Sequence, residues 1–454
     1  MKNKDYSRRN FLKINTMTGA GVLLLGGFGC GSPSSNFAKK SESDRDLSDL
    51  KLEELQKRYH SDLFDKFIPN MDKYVIDHEL GGFMCSVEIE SGKMTSTDKR
   101  SWYEGRGMWT YSFLYNNLDK KPEYLEIARK SKDFILKSKP KDNKFWPAAF
   151  SKEGNLQSKE GKPQSEEEGD IYSSLFVAEG LAEFAKASGE SQYLDLAKNI
   201  LFSCLDRYDS PDYVYDVAYL SKDAPKVPAP RVLGHWMVFL RAATQLLENA
   251  PDPKVEKLAH RCVDAILNFH LNPEYNLVNE LLNHDLSRPD NEFNQFSYTG
   301  HGIETIWMVL FEAARRKDKA MFDRTVEVFK RHVTVAKDSV YGGYFRSLDH
   351  VDNNTWKVDK VLWLQEEVLI GSLFIAEHTG NLWAKQCFNE TFEYVHKNFN
   401  RPGFKFWLSG GDRKLVEYNK VRAEHYHHPR HLMLNLLALN RIIDNKGKVS
   451  NLFS

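Results

Sequence analysis

Two histidine-centred stretches hold the side chains best suited to moving protons near neutral pH. The first is Tyr298-Thr-Gly-His301-Gly-Ile-Glu304-Thr-Ile-Trp307, followed by an apolar run at helical spacing (Ile303, Ile306, Trp307, Val309, Leu310). Thr299 or Gly300 can cap that helix, which puts His301 in its first turn and Glu304 three residues on, on the same face. The unpaired N–H groups and partial positive charge of a helix start favour a neutral imidazole and suit a centre where negative charge develops. The plain alternative is a capped helix with an ordinary His–Glu pair. The second stretch is Glu424-His-Tyr-His427-His-Pro429-Arg430-His431. Pro429 marks the first turn of the last apolar helix, with His427 just before it. His, His and Glu are all metal ligands, but there is no HExxH, and no metal is expected. A structural or solvated histidine patch is the alternative reading.

Other candidates lie far away in the chain. Arg106, in Trp102-Tyr-Glu-Gly-Arg106-Gly-Met-Trp109, can fork onto a sugar oxygen or an enediolate, or simply pair with Glu104. Tyr172 follows Asp170 at a helix start. His235, in Arg231-Val-Leu-Gly-His235-Trp236, lines a cavity or sits hydrogen-bonded in the core. Trp363 leads Trp363-Leu-Gln-Glu366-Glu367, whose carboxylates can also just complement a helix dipole. No GxGxxG follows a strand, and there is no P-loop or GxSxG. Dinucleotide, nucleotide-hydrolysis and α/β-hydrolase chemistry are disfavoured, and no cofactor is expected.

From residue 48 on, the dominant period is helical. Twelve helices are expected, near 48–76, 102–117, 121–138, 170–188, 191–207, 233–249, 253–271, 300–316, 318–337, 362–378, 381–398 and 429–444. Short polar turns alternate with linkers of about 25 residues that carry strand and turn signals. One unit is visibly repeated. Gly81-Gly82-Phe83 stands before Asp98-Lys99-Arg-Ser-Trp102, and Gly342-Gly343-Tyr344 before Asp359-Lys360-Val-Leu-Trp363; the second glycine precedes the aspartate by 16 residues in both. The expected fold is all-α: an (α/α)6 barrel, with long β-hairpin-like loops at the end where the inner helices begin. That architecture brings Trp102, Arg106, Asp170, Tyr172, His235, His301, Glu304, Glu366, Glu367, His427 and Arg430 to one cavity.

The chain divides into a leader over 1–30, a polar tether over 31–47 and a single catalytic domain over 48–454. Ser7-Arg8-Arg9-Asn-Phe-Leu-Lys matches a twin-arginine export motif, and an apolar stretch runs from Met17 to Gly29. Cys30 follows and is the candidate lipidation site, so the expected location is periplasmic or on a membrane of a Gram-negative cell, anchored only through that lipid. The other four cysteines are scattered, which predicts buried free thiols. With 63 basic and 63 acidic residues the chain carries no net charge, which argues against nucleic acid. The 13% aromatic content suits a large core and flat platforms for sugars.

Taken in order, Gly81-Gly-Phe, Lys99-x-x-Trp102-x-x-Gly105-Arg106, Gly300-His301-x-x-Glu304, Gly342-Gly-Tyr, Trp363-x-Gln-x-Glu367 and Tyr426-His427-x-Pro429-Arg430 resemble the N-acylglucosamine 2-epimerase family. The resemblance implies a sugar isomerase, monomeric or homodimeric, with a reducing sugar as substrate. It implies His301 and His427 as the acid–base pair at C2, Arg106 steadying the enediolate, and Glu304 orienting His301 or helping to open the ring. Trp102, Tyr172, His235, Trp363, Glu367 and Arg430 are the expected substrate contacts. Inverting a carbon next to a carbonyl requires a proton to leave one face and return on the other, which two near-neutral groups can do. The alternatives are an aldose–ketose isomerase through the same enediolate, a glycoside hydrolase using Glu304 with Glu367 or Asp170, and a non-catalytic surface sugar-binding lipoprotein. Arg422 stands about where the family's cellobiose-acting members carry a tryptophan, and His235 is out of register with a further histidine of theirs.

Overall fold

The computed structural model describes residues 46–88, 91–139, 145–155, 169–215, 227–399, 409–411, 413, 414, 416–418, 423 and 425–453. The expected leader with Cys30, all but the last two residues of the tether, and Arg422 lie outside them. Among the described residues, no helix is long and apolar enough to cross a membrane.

Among the described residues, twelve helices pair as the connection lengths predict. Helix α1 is the run Leu52–Ser61, Asp62–Phe67 and Ile68–Tyr74. Its middle piece widens to a π-helix just before Pro69, whose ring cannot follow a regular α-turn. Then come α2 (Ser101–Asn117), α3 (Pro122–Lys137), α4 (Ile171–Ser188), α5 (Gln192–Asp209) and α6 (Leu233–Asn249). These are followed by α7 (Pro253–Asp264), α8 (Thr299–Arg315), α9 (Lys319–Ala336), α10 (Leu362–Thr379), α11 (Leu382–Asn398) and α12 (His427–Asp444).

Composition separates the two rings. Helix α7 buries Val255, Leu258, Ala259, Cys262 and Val263, one stripe at helical spacing, and so lies outside. Helix α10 buries every residue from Leu362 to Glu377, because it is packed on all sides. The even-numbered helices contact one another in sequence, α2 to α4, α6, α8, α10 and α12, and α12 returns to α2. The expected (α/α)6 barrel therefore closes. At the α2–α4 crossing the backbones nearly touch: a Cβ on Gly105 would fall 2.3 Å from Phe176 and one on Gly180 2.5 Å from the Gly105 carbonyl.

The repeated unit has a physical purpose. Lys99 Nζ is buried and donates to Asp77 Oδ2 (2.8 Å), the Gly81 carbonyl (2.6 Å) and the Lys152 carbonyl (3.1 Å). Lys360 Nζ donates to Asp338 Oδ2 (2.8 Å), the Gly342 carbonyl (2.6 Å) and the Arg413 carbonyl (2.8 Å), at the same sequence separations of 22, 18 and 53 residues. The glycine pairs adopt positive φ in both copies, so the loop can fold tightly over its lysine. One helical turn on, Glu104 and Gln365 accept from the backbone N–H of Phe83 and Tyr344, both at 2.9 Å. Each lysine thus ties a long loop to the start of an inner helix.

Two helix starts differ from expectation. Helix α8 has no side-chain cap, because Thr299 is already its first residue and its hydroxyl donates instead to the Phe345 carbonyl at 2.6 Å. Helix α12 begins at His427, two residues before Pro429, so His427 is the first helical residue and not a loop residue. Cys85, Cys204, Cys262 and Cys387 are buried, and none forms a disulfide among the described residues.

Candidate active site

His301 lies in the first turn of α8, and its Nδ1 bonds Glu280 Oε1 at 2.8 Å. Glu280 is fully buried between the short strands Leu277–Val278 and Leu281–Leu282. The second strand pairs with Arg231–Val232, and the Glu280 carbonyl accepts from the first N–H of α6. The carboxylate is therefore held by backbone on both sides. Burial opposes the charged imidazolium, but the charge and hydrogen bond of Glu280, with Glu304 beyond, outweigh it and raise the His301 pKa above its ordinary value. Glu280 was not among the residues singled out from sequence. Its only signal is a charge between apolar pairs in a linker, Leu277-Val-Asn-Glu280-Leu-Leu282.

His427 has the same arrangement on the facing helices. Its Nδ1 lies 2.8 Å from Glu367 Oε1 and 3.7 Å from Glu304 Oε1. Arg430, one turn on, donates through Nη2 to Glu304 Oε1 (2.5 Å) and Glu367 Oε1 (2.6 Å), while Trp307 Nε1 donates to Glu367 Oε2 (2.6 Å). Two expected roles change here. Arg430 and Glu367 are both fully buried, and the bonds of Arg430 Nη2 and of both Glu367 oxygens to protein groups place them behind His427 as positioning groups. Glu304 sits on the His301 helix, but its carboxylate serves Arg430 and His427. Glu304, Glu367 and His427 converge as metal ligands do. A cation from the protein itself already bridges the two carboxylates, so this trio does not suit a metal ion.

Trp363 stands beside both histidines, its ring centroid 6.0 Å from that of His301 and 5.3 Å from that of His427. It packs so closely on the start of α8 that a Cβ on Gly300 would fall 2.4 Å from its ring. Arg106, on α2, is buried in a cage of three rings: Phe176 at 4.1 Å, Tyr426 at 4.6 Å and Trp102 at 4.7 Å from its guanidinium carbon. Among the described residues no carboxylate forms an ion pair with it. Glu104 turns the other way, accepting from Phe83 N and Ser131 Oγ. The cage holds the cation through its π faces and leaves its charge unneutralised.

Tyr172, positioned by the Asp170 cap of α4, lies against the Gly234 backbone beside His301. His235 packs in a nest of tyrosines, stacked on Tyr208 at 5.0 Å and bonded through Nε2 to Tyr213 Oη at 2.9 Å. Burial, aided by the nearby Arg231 and His301 charges, pushes its pKa down to about 3, so it stays neutral. It belongs to the wall as a polar but uncharged group.

The fold is thus a barrel of six helical hairpins whose inner helix starts gather two carboxylate-backed histidines and an arginine that pairs with no carboxylate among the described residues. Residues 58–430 match the model of the N-acylglucosamine 2-epimerase family, and the chain belongs to that family, whose members are carbohydrate isomerases. It is 24% identical over 393 residues to a cellobiose 2-epimerase of Bacteroides fragilis, covering 81% of this chain and 93% of the relative. It is 23% identical to an N-acylglucosamine 2-epimerase of Bos taurus, covering 83% and 89%. A sugar epimerase structure from a ruminal bacterium shares the fold with a TM-score of 0.71 at 18% identity, covering 84% of this chain and 98% of that one. A D-mannose isomerase structure does so at 0.67 and 15%, covering 89% and 100%.

Proposed function

We propose that the protein inverts C2 of a reducing sugar, with His301 and His427 exchanging the proton on opposite faces of an enediolate. The observation that carries this reading is the pair of imidazoles beside Trp363, each held at Nδ1 by a buried carboxylate at 2.8 Å. A carboxylate only accepts, so Nδ1 keeps its proton and Nε2 is the nitrogen that takes or gives one. In the opened sugar the C2–H bond breaks, its proton passes to one Nε2, and the electron pair moves onto the carbonyl oxygen. Arg106 meets the resulting negative charge. The second histidine then protonates C2 from the other side. Trp363 and Trp102 supply flat apolar surface for the sugar and Tyr172 a polar edge, with His235 buried behind it.

A screen of purified protein against reducing aldoses and disaccharides tests this reading. It should find one pair of C2 epimers interconverted, with activity lost in His301→Ala and His427→Ala proteins that still fold. Activity retained in both variants would refute the assignment. Isomerisation to a ketose uses the same enediolate and differs only in returning the proton to C1. Glycoside hydrolysis fits less well: Arg430 binds Glu304 and Glu367, and both Asp170 oxygens cap α4. The reading also includes export through the twin-arginine motif and lipidation at Cys30, supported by the residues quoted above.

A further inference from the structure

Behind the histidine pair, on the outer side of α10 and α12, lies a second cluster. Glu366 and His428 are the sequence neighbours of Glu367 and His427, but they point away from the barrel axis towards α1 and α11. His428 Nδ1 is 2.5 Å from Glu366 Oε1, and His431 Nδ1, one turn along α12, is 3.6 Å from the same oxygen. All three donor atoms lie within 4.8 Å of one another. They border a cavity of ≈ 210 Å³ that Asp62 and His396 also line.

We propose that Glu366, His428 and His431 form a site for one divalent transition-metal ion of the zinc type, separate from the catalytic centre. The donor set is two imidazole nitrogens and one carboxylate oxygen, which suits zinc with a fourth position left open. Bond lengths of about 2.1 Å place tetrahedral donors about 3.4 Å apart, and the separations of 2.5 and 3.6 Å bracket that spacing. The independent observation is His431 itself. Its ring is buried, and its Nδ1 makes no side-chain hydrogen bond: it faces Glu366 and touches the backbone of His428. Its other nitrogen is held by Tyr59 Oη at 3.0 Å, and Tyr59 is held in turn by Asn435 at 3.1 Å. An outer hydrogen bond of this kind fixes a ligating histidine in place. When an ion binds, His428 gives up its Nδ1 proton to solvent or moves it to Nε2. The ion then ties α10 to α12 one residue from the Glu367–His427 pair.

The full chain, freed of metal with a chelator, is titrated with Zn²⁺ alone by calorimetry, and with Co²⁺ by visible absorption. The expected result is one ion per chain with d–d bands of a low-coordinate site. Uptake should weaken at least tenfold in His431→Gln and in Glu366→Gln, and about tenfold in Tyr59→Phe. Circular dichroism confirms that each protein is folded. No stoichiometric uptake by the folded wild type would overturn the proposal. So would uptake of equal strength in His431→Gln and Glu366→Gln.

Discussion

At the scale of single residues, the chemistry depends on which nitrogen of each imidazole is committed, and two buried carboxylates decide it. Glu280 favours the protonated form of His301, so the alkaline limb of the pH–rate profile, where that acid is lost, should lie above the ordinary imidazole value. Glu280→Gln removes the charge and lowers the His301 pKa. The alkaline limb should then move to lower pH by about one unit or more, and an unmoved limb would show that Glu280 does not govern the proton. Arg106 presents an unneutralised charge to the developing oxyanion. Arg106→Met should lower kcat by about 10²–10³ while the barrel stays folded; a change in KM alone would make it a binding residue only. His301, His427 and Arg106 were legible in the sequence because each sits at a helix start within a recognisable motif. Glu280 was not, because its helix partner is 21 residues away and its neighbours give no periodic pattern. Arg430 and Glu367 were legible as site residues, but their burial beneath His427 depends on how three helices pack.

At the scale of elements, helices were easy to read and their first turns were not. Apolar spacing located all twelve, while the start of α12 was misplaced by two residues because Pro429 is tolerated anywhere in the first turn. The glycine-pair and Asp-Lys repeat was visible as spacing, but its meaning was not. The aspartates that receive Lys99 and Lys360 lie 22 residues upstream, beyond any local pattern. Both lysines are buried, but Asp338 also pairs with Arg413 at 2.9 Å, whereas Lys99 is the one cation on Asp77 among the described residues, so its removal leaves an uncompensated carboxylate. Lys99→Met should cost about 3–5 kcal/mol of stability in urea unfolding, and a loss below about 1 kcal/mol would show that the clamp does not hold the loop to α2.

At the scale of the molecule, the barrel makes neighbours of residues as distant as Arg106, His301 and Tyr426. Alternating short and long connections made the six-hairpin ring legible before any contact was known. Which end of each carboxylate faces which histidine could not be read that way, because it follows from side-chain packing inside the ring. The proposed export and lipid anchor have their own test. In a bacterial host, Cys30→Ser should move the protein from the membrane fraction to the soluble periplasmic one; wild type found only in the soluble fraction would contradict the anchor. The central claim is that two histidines work on opposite faces of C2, and it is tested most directly by early conversion in D2O read by proton NMR. The account predicts product carrying one deuterium at C2 while the remaining substrate keeps its hydrogen there. Product that retains the original C2 hydrogen, or a ketose labelled at C1, would contradict it.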